Sequence, residues 1–241
     1  LYAIAAKGFS PPTLAEVRPS TGEFAAQLKP EQGWNYEAGI KGTFLKNAIE
    51  FNASFYYFEL KDAIVRRTDS TGADYYINAG GTIQKGVEVW ALAHIIRNSN
   101  SLITLLSLWN SFTYQPYRFD EYKIASTSYS GNKLTGVPRT INVTGIDVQT
   151  KHQYYANLTL NFTSQIPLND GNTVSAKAYH LLQLKMGRTL YFKKWNMNVF
   201  AGADNLLNEI YSLGNDLNAL GGRYFNPAPK INFYGGVQFG F

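Results

Sequence analysis

The chain has 241 residues, no cysteine, and a formal net charge of +5 from 22 basic and 17 acidic side chains. Without cysteine there is no disulfide framework, no thiol chemistry and no thiolate-held zinc. Mean hydropathy is below zero and no run of ~18 apolar residues offers a transmembrane helix, while 17 Tyr, 15 Phe and 21 Gly suit a β protein with many turns.

Alternation of apolar and polar side chains, the mark of a strand with two unlike faces, picks out about ten segments. The first is short, near residues 1–8. Trp34, Tyr36, Ala38, Ile40, Gly42 and Phe44 line one face of the second, opposite Asn35, Glu37, Lys41 and Thr43. Residues 49–65 follow, with Phe51, Ala53, Phe55 and Tyr57 against Glu50, Asn52 and Ser54. The fourth covers residues 82–96 and the fifth 102–112. The sixth, residues 140–150, alternates poorly. In the seventh, Tyr154, Ala156, Leu158, Leu160 and Phe162 stand against Tyr155, Asn157, Thr159, Asn161 and Thr163. Residues 178–191 and 196–203 precede a last strand over 231–241. There Ile231, Phe233, Gly235, Val237, Phe239 and Phe241 oppose Asn232, Tyr234, Gly236, Gln238 and Gly240.

Short and long connections alternate without exception. Residues 45–48, 97–101, 151–153 and 192–195 have hairpin length, whereas 9–33, 66–81, 113–139, 164–177 and 204–230 are long. A soluble sandwich has no need to sort its loops by end. A membrane barrel does, with short periplasmic turns at one rim and long external loops at the other. Periodicity alone does not separate the two, because a barrel inverts the pattern, apolar side chains meeting lipid and polar ones a wet lumen.

Sorted loops, an even strand count and the aromatic last strand favour an all-β, antiparallel, up-and-down transmembrane barrel portion. Phe162, Leu160, Leu158, Val237 and Phe239 are then expected outward, and Asn157, Asn161 and Gln238 inward. Tyr191, Phe192 and Trp195 flank a short turn, where an interfacial aromatic girdle belongs. The sequence leaves open whether these strands close on themselves or form a curved open sheet.

Several motifs resemble those of TonB-dependent outer-membrane receptors of the ferric-siderophore type. They are Lys7-Gly8-Phe9-Ser10-Pro11-Pro12-Thr13-Leu14-Ala15-Glu16, then Leu28-Lys29-Pro30-Glu31 with Asn35-Tyr36-Glu37-Ala38-Gly39. Gly131-Asn132-Lys133-Leu134-Thr135-Gly136-Val137-Pro138-Arg139 and Pro167-Leu168-Asn169-Asp170 follow in order, as do Asp204-Asn205-Leu206-Leu207-Asn208 and Arg223-Tyr224-Phe225-Asn226-Pro227-Ala228-Pro229. Each is weak alone; six in order are specific, and they cover nearly the whole chain.

The resemblance implies a barrel of about 22 strands plugged by an amino-terminal domain. It implies import of a scarce nutrient, most readily a ferric siderophore, energised by the TonB complex. Residues 1–241 are expected to be the carboxy-terminal part of that barrel. The plug, the TonB-contacting segment and about the first twelve strands would then lie outside this sequence. Phe241, with Phe239, is expected to be the signal read by the barrel-assembly machinery in the bacterial outer membrane.

Enzymatic signals are poor, and the chain is read as a non-enzyme without cofactor or metal. His94, His152 and His180 share no ligand spacing. Asn169-Asp170-Gly171-Asn172 is a turn before it is a calcium loop, because the other spaced oxygen ligands are missing. Basic residues are scattered, which argues against nucleic acid. The long loops hold the candidates for an anionic, aromatic chelate: Tyr117, Arg118, Tyr122, Lys123, Tyr129, Lys133, Arg139, Arg223 and Tyr224. Outer-membrane lipid is the competing partner for such loop cations. A passive porin, a glycan importer and, less favoured, a soluble β-sandwich binding module are the alternative functions.

Overall fold

The computed structural model describes residues 1–124 and 126–241. Ten strands follow one another across a single antiparallel sheet. They are β1 (Tyr2–Ser10), β2 (Glu31–Phe44), β3 (Ile49–Thr68), β4 (Asp74–Arg97) and β5 (Ile103–Tyr114), then β6 (Thr140–Thr150), β7 (Tyr154–Thr163), β8 (Tyr179–Tyr191), β9 (Asn196–Asp204) and β10 (Asn232–Gly240). Arg118–Phe119 pairs on β4 and makes the sheet eleven-stranded. The short turns leave no room for crossovers, so the sheet is a meander. It is open, with β1 and β10 as its edges. Among the described residues helix is confined to one capped turn, Leu14–Val17, and a 3-10 turn, Leu220–Gly222.

One expected loop is largely strand. Residues 66–81 continue the β3–β4 ladder up to Thr68 and Asp74, giving strands of 20 and 24 residues. The β-branched and aromatic run Ile64, Val65, Tyr75, Tyr76 and Ile77 supports that extension. Asp69 closes it: its Oδ1 accepts from the Thr71 and Ala73 backbone N–H groups at 2.8 and 3.0 Å. The Thr71 hydroxyl, first, and the Ala73 N–H hold that carboxyl below its ordinary pKa. At ~3.3 Å per residue the hairpin far exceeds the ~25 Å apolar band of a membrane barrel, so in such a barrel its tip would stand clear of the membrane.

Register fixes which residues share a face, because directly opposed residues point the same way. One row runs Ala93, Leu108, Ile146, Leu158, Leu184, Ala203, Phe233 across seven strands. Another ends Arg188, Val199, Val237. This apolar face is open to the surroundings: Phe233 is 76%, Val237 53% and Phe239 54% exposed. A soluble sandwich would bury it, so the sandwich reading fails. The fully buried large side chains, Tyr122 and Leu168, lie instead among the loops.

Asn157, Asn161 and Gln238 lie on the opposite, polar face, as the alternation required. Aromatic rings lie flat there over glycines. A Cβ on Gly145 would fall 2.1 Å from the Trp109 ring, and one on Gly202 2.3 Å from that of Tyr234. Trp109 Nε1 donates to Asp147 Oδ2 at 3.0 Å, and Asn157 Nδ2 to Asp147 Oδ1 at 2.5 Å.

Aromatics gather at the short-turn end. Phe192 stacks on Trp195 at 3.9 Å, Trp195 lies 5.9 Å from Phe239, and Phe44 stacks on Phe51 at 5.3 Å. Strand β6 explains its own poor alternation. Its half nearest the long loops is inverted, with Asn142 and Thr144 on the apolar side and Ile141 and Val143 on the polar side.

Candidate ligand site at the loop end of the sheet

The extended β3–β4 hairpin and three long loops meet at one carboxylate. Asp170, in the β7–β8 loop, takes Arg67 of the β3–β4 hairpin as an ion-pair partner at 2.6 Å. Its Oδ2 also accepts from Tyr122 Oη at 2.9 Å, and its Oδ1 accepts from Thr135 Oγ1 at 2.6 Å, both from the β5–β6 loop. Asn218 of the β9–β10 loop donates to Oδ1 at 3.1 Å and accepts from the Asp170 N–H at 3.0 Å. Asn132 Nδ2 reaches the Asp170 carbonyl at 2.7 Å. Around this hub pack Phe119, Tyr122, Tyr129 and Leu134, with the Arg67 guanidinium 5.2 Å above the Tyr122 ring.

The Asn169–Asn172 stretch is thus a turn whose acid is fully engaged by protein donors. Asn169 Oδ1 accepts the Thr173 N–H at 2.9 Å, and Asn172 adopts a positive φ of 53°. Among the described residues no group of three or more His, Asp or Glu is poised for a metal.

Two hollows flank the hub. The larger, about 560 Å³, is lined by Arg66, Asp74, Asp216, Leu217, Asn218 and Arg223, among others. Arg66 is paired with Asp74 at 2.7 Å, and that hydrogen bond raises its pKa further. Among the described residues Arg223 has no carboxylate at ion-pair distance. The smaller, about 190 Å³, brings together Tyr117, Arg118, Lys133 and Arg139 with Gln115, Ser164 and Gln165. Among the described residues no carboxylate lines it.

The expected residues therefore divide. Tyr117 stands between the small cleft and the polar wall, its hydroxyl 2.8 Å from that of Tyr56. Tyr129 packs against Tyr122 at 5.6 Å and belongs to the loop core, as Tyr122 does. Tyr224 sits edge-on to Phe225 beside Arg223. Lys123 is exposed in a two-residue strand away from both hollows.

Arg118, Lys133 and Arg139 lie on the apolar side of the sheet. Arg118 opposes Ile83, in the row Trp34, Glu59, Ile83. Lys133 opposes Arg118. Arg139 donates through Nε to the Tyr114 hydroxyl at 3.0 Å and covers that ring at 5.1 Å. Tyr114 itself opposes Val87 on the apolar face. Sequence reasoning missed Asp170 as the organiser of the loops, although it singled out the turn.

A sequence model of the TonB dependent receptor-like β-barrel matches residues 1–206. The chain belongs to that family. Its members are outer-membrane proteins of Gram-negative bacteria, receptors and transporters rather than enzymes, and the outer membrane is where this chain resides. Solved structures share the fold. The copper transporter OprC superposes with a TM-score of 0.76 at 16% identity, over 99% of this chain and 37% of its own. The siderophore receptor PiuA from Acinetobacter baumannii gives 0.71 at 17%, over 98% and 32%. The ferric yersiniabactin uptake receptor FyuA from Yersinia pestis gives 0.65 at 19%, over 98% and 34%. The chain thus spans about a third of the length of the structures it matches.

Proposed function

We propose that residues 1–241 are the carboxy-terminal part of a plugged receptor barrel that captures a ferric siderophore at its loop end. Import is then driven through a TonB complex that contacts the amino-terminal region. The observation that carries the reading is the Asp170 hub, which knits the β3–β4 hairpin and three long loops into one body beside a hollow of about 560 Å³. A porin gains nothing from a preorganised loop body, whereas a receptor avoids ordering cost on binding by having one. Arg223, which lines that hollow and has no acid partner among the described residues, is the ligand-facing candidate there, with its chain neighbour Tyr224; Tyr117, apart from that hollow, lines the small cleft and the polar wall. Their cation and rings suit a chelate that carries negative charge and aromatic groups.

Equilibrium binding to the full-length receptor tests this, with an anionic ferric siderophore, a neutral ferric chelate, free copper ions and an oligosaccharide as four arms. Saturable binding of the anionic chelate, weakened by Arg223→Gln, is the expected result. Preference for copper or for the oligosaccharide replaces the substrate class. No saturable binding in any arm, with free diffusion of small solutes, returns the porin.

A further inference from the structure

We propose that the apolar side of β5 and β6 carries a docking site for a phosphorylated glycolipid of the outer leaflet. This rests on the outer-membrane placement and not on the choice of imported ligand. Two independent features carry it, and they meet.

The first is the cleft of about 190 Å³. Arg118, Lys133 and Arg139 converge on it from the lipid side, just beyond the ends of β5 and β6, with no carboxylate in the lining. The backbone holds them there. Lys133 is gripped by Asn172, which accepts its N–H at 2.7 Å and donates to its carbonyl at 3.0 Å. Arg118 Nη1 donates to the Gly131 carbonyl at 2.6 Å. Three cations without a counter-charge at a membrane surface call for an anion, and phosphate takes guanidinium and ammonium donors together.

The second is a polar stripe that descends from that cleft into the apolar face. Below Tyr114 and Arg139 come Asn142, in the row Val89, Phe112, Asn142, Phe162, and then Asn110 beside Thr144, in the row Ala91, Asn110, Thr144, Leu160. Two to four residues below Thr140, these groups lie ~7–13 Å deeper. Amides facing hydrocarbon are costly unless bonded. Asn110 Nδ2 donates to Asn142 Oδ1 at 2.9 Å and Thr144 Oγ1 at 2.8 Å, which settles part of that cost. Among the described residues nothing donates to Asn110 Oδ1, so one acceptor remains for a partner. A glycolipid has donors at that depth, the hydroxyls or amide N–H groups where its acyl chains join the sugars, while its sugar phosphates sit at the level of the cleft.

The test is native mass spectrometry of the full-length receptor released from its membrane, counting retained phosphorylated glycolipid and ordinary phospholipid. The parent is expected to keep the glycolipid. The triple variant Arg118→Gln, Lys133→Gln, Arg139→Gln should retain at least about tenfold less, and Asn110→Val with Asn142→Val should lower glycolipid while leaving phospholipid unchanged. Removing the phosphates enzymatically from lipid bound to the parent should mimic the triple variant, a readout that needs no mutant to assemble. Equal retention by parent and triple variant, or indifference to dephosphorylation, overturns the site. So does a triple variant that loses ferric siderophore while keeping glycolipid, because the cleft would then be a ligand mouth.

Discussion

Arg67 and Asp170, 103 positions apart in the sequence, form an ion pair at 2.6 Å with their side chains only 8% and 6% exposed. Arg67 Nε finds no acceptor among the described residues, and its Nη2 meets the carboxylate off the hydrogen-bond axis. The pair therefore works through charge proximity and the flat contact with Tyr122, while Tyr122, Thr135 and Asn218 supply the directed bonds.

Removing one partner strands the other in a dry setting. Asp170→Ala is expected to cost about 3–5 kcal/mol locally, spent on loosening the loops rather than unfolding the sheet. Limited proteolysis should cut residues 118–135 and 210–225 faster, with the thermal midpoint of the barrel little changed. Replacing both, Arg67→Met with Asp170→Leu, should recover most of the protection. A double variant as fragile as the single one would mean that the directed bonds carry the hub.

Gly145 is where the polar wall depends on having no side chain. Gly145→Val would drive a Cβ into Trp109 at 2.1 Å, and the ring would have to leave Asp147. A cost of about 1–3 kcal/mol is expected, with a red shift of tryptophan emission as the indole lifts into the lumen. An unchanged spectrum would show that the wall accommodates the branch by moving its backbone.

Phe241 is fully exposed, so its deletion removes no packing. Phe239 differs, since its ring lies near Trp195. If the terminal aromatic is an assembly signal, deleting Phe241 should lower the amount of receptor in the outer membrane. Whatever does assemble should melt like the parent. Phe239→Ala should lower both quantities. Normal surface levels of the Phe241 deletion would leave the residue without a role in assembly.

Much of the fold was legible because strict alternation over β2, β7 and β10 fixes two faces at once, and the order of short and long connections fixes the ends. Strand β6 read badly for a physical reason: Asn142 and Thr144 face the lipid side and invert its polarity. The extension of β3 and β4 past the membrane was hidden because its polar and aromatic residues, clear of lipid, obey no inside–outside rule. The loop candidates were legible as chemistry and not as geometry. Arg118, Lys133 and Arg139 are near one another, but which side of a sheet they serve depends on pairing with Ile83 and Tyr114, which no local pattern encodes. The Asp170 hub draws on four distant segments and left only a turn signal behind.

Arg223 gives the sharpest handle on ligand capture. An exposed cation contributes at most about 1 kcal/mol to an ion pair, so Arg223→Gln should weaken binding of an anionic ferric chelate by up to about fivefold. The effect should be largest at low ionic strength and fade as the Debye length shrinks from ~10 Å at 0.1 M to ~3 Å at 1 M salt. Arg66 should matter less, because Asp74 already neutralises it at 2.7 Å. A neutral chelate should bind both variants like the parent. Titration of parent, Arg223→Gln and Arg66→Gln across a salt series separates these outcomes. If Arg223→Gln loses affinity equally for charged and neutral chelates at every salt concentration, its role is to shape the hollow, and attraction of charge is the wrong account of this site.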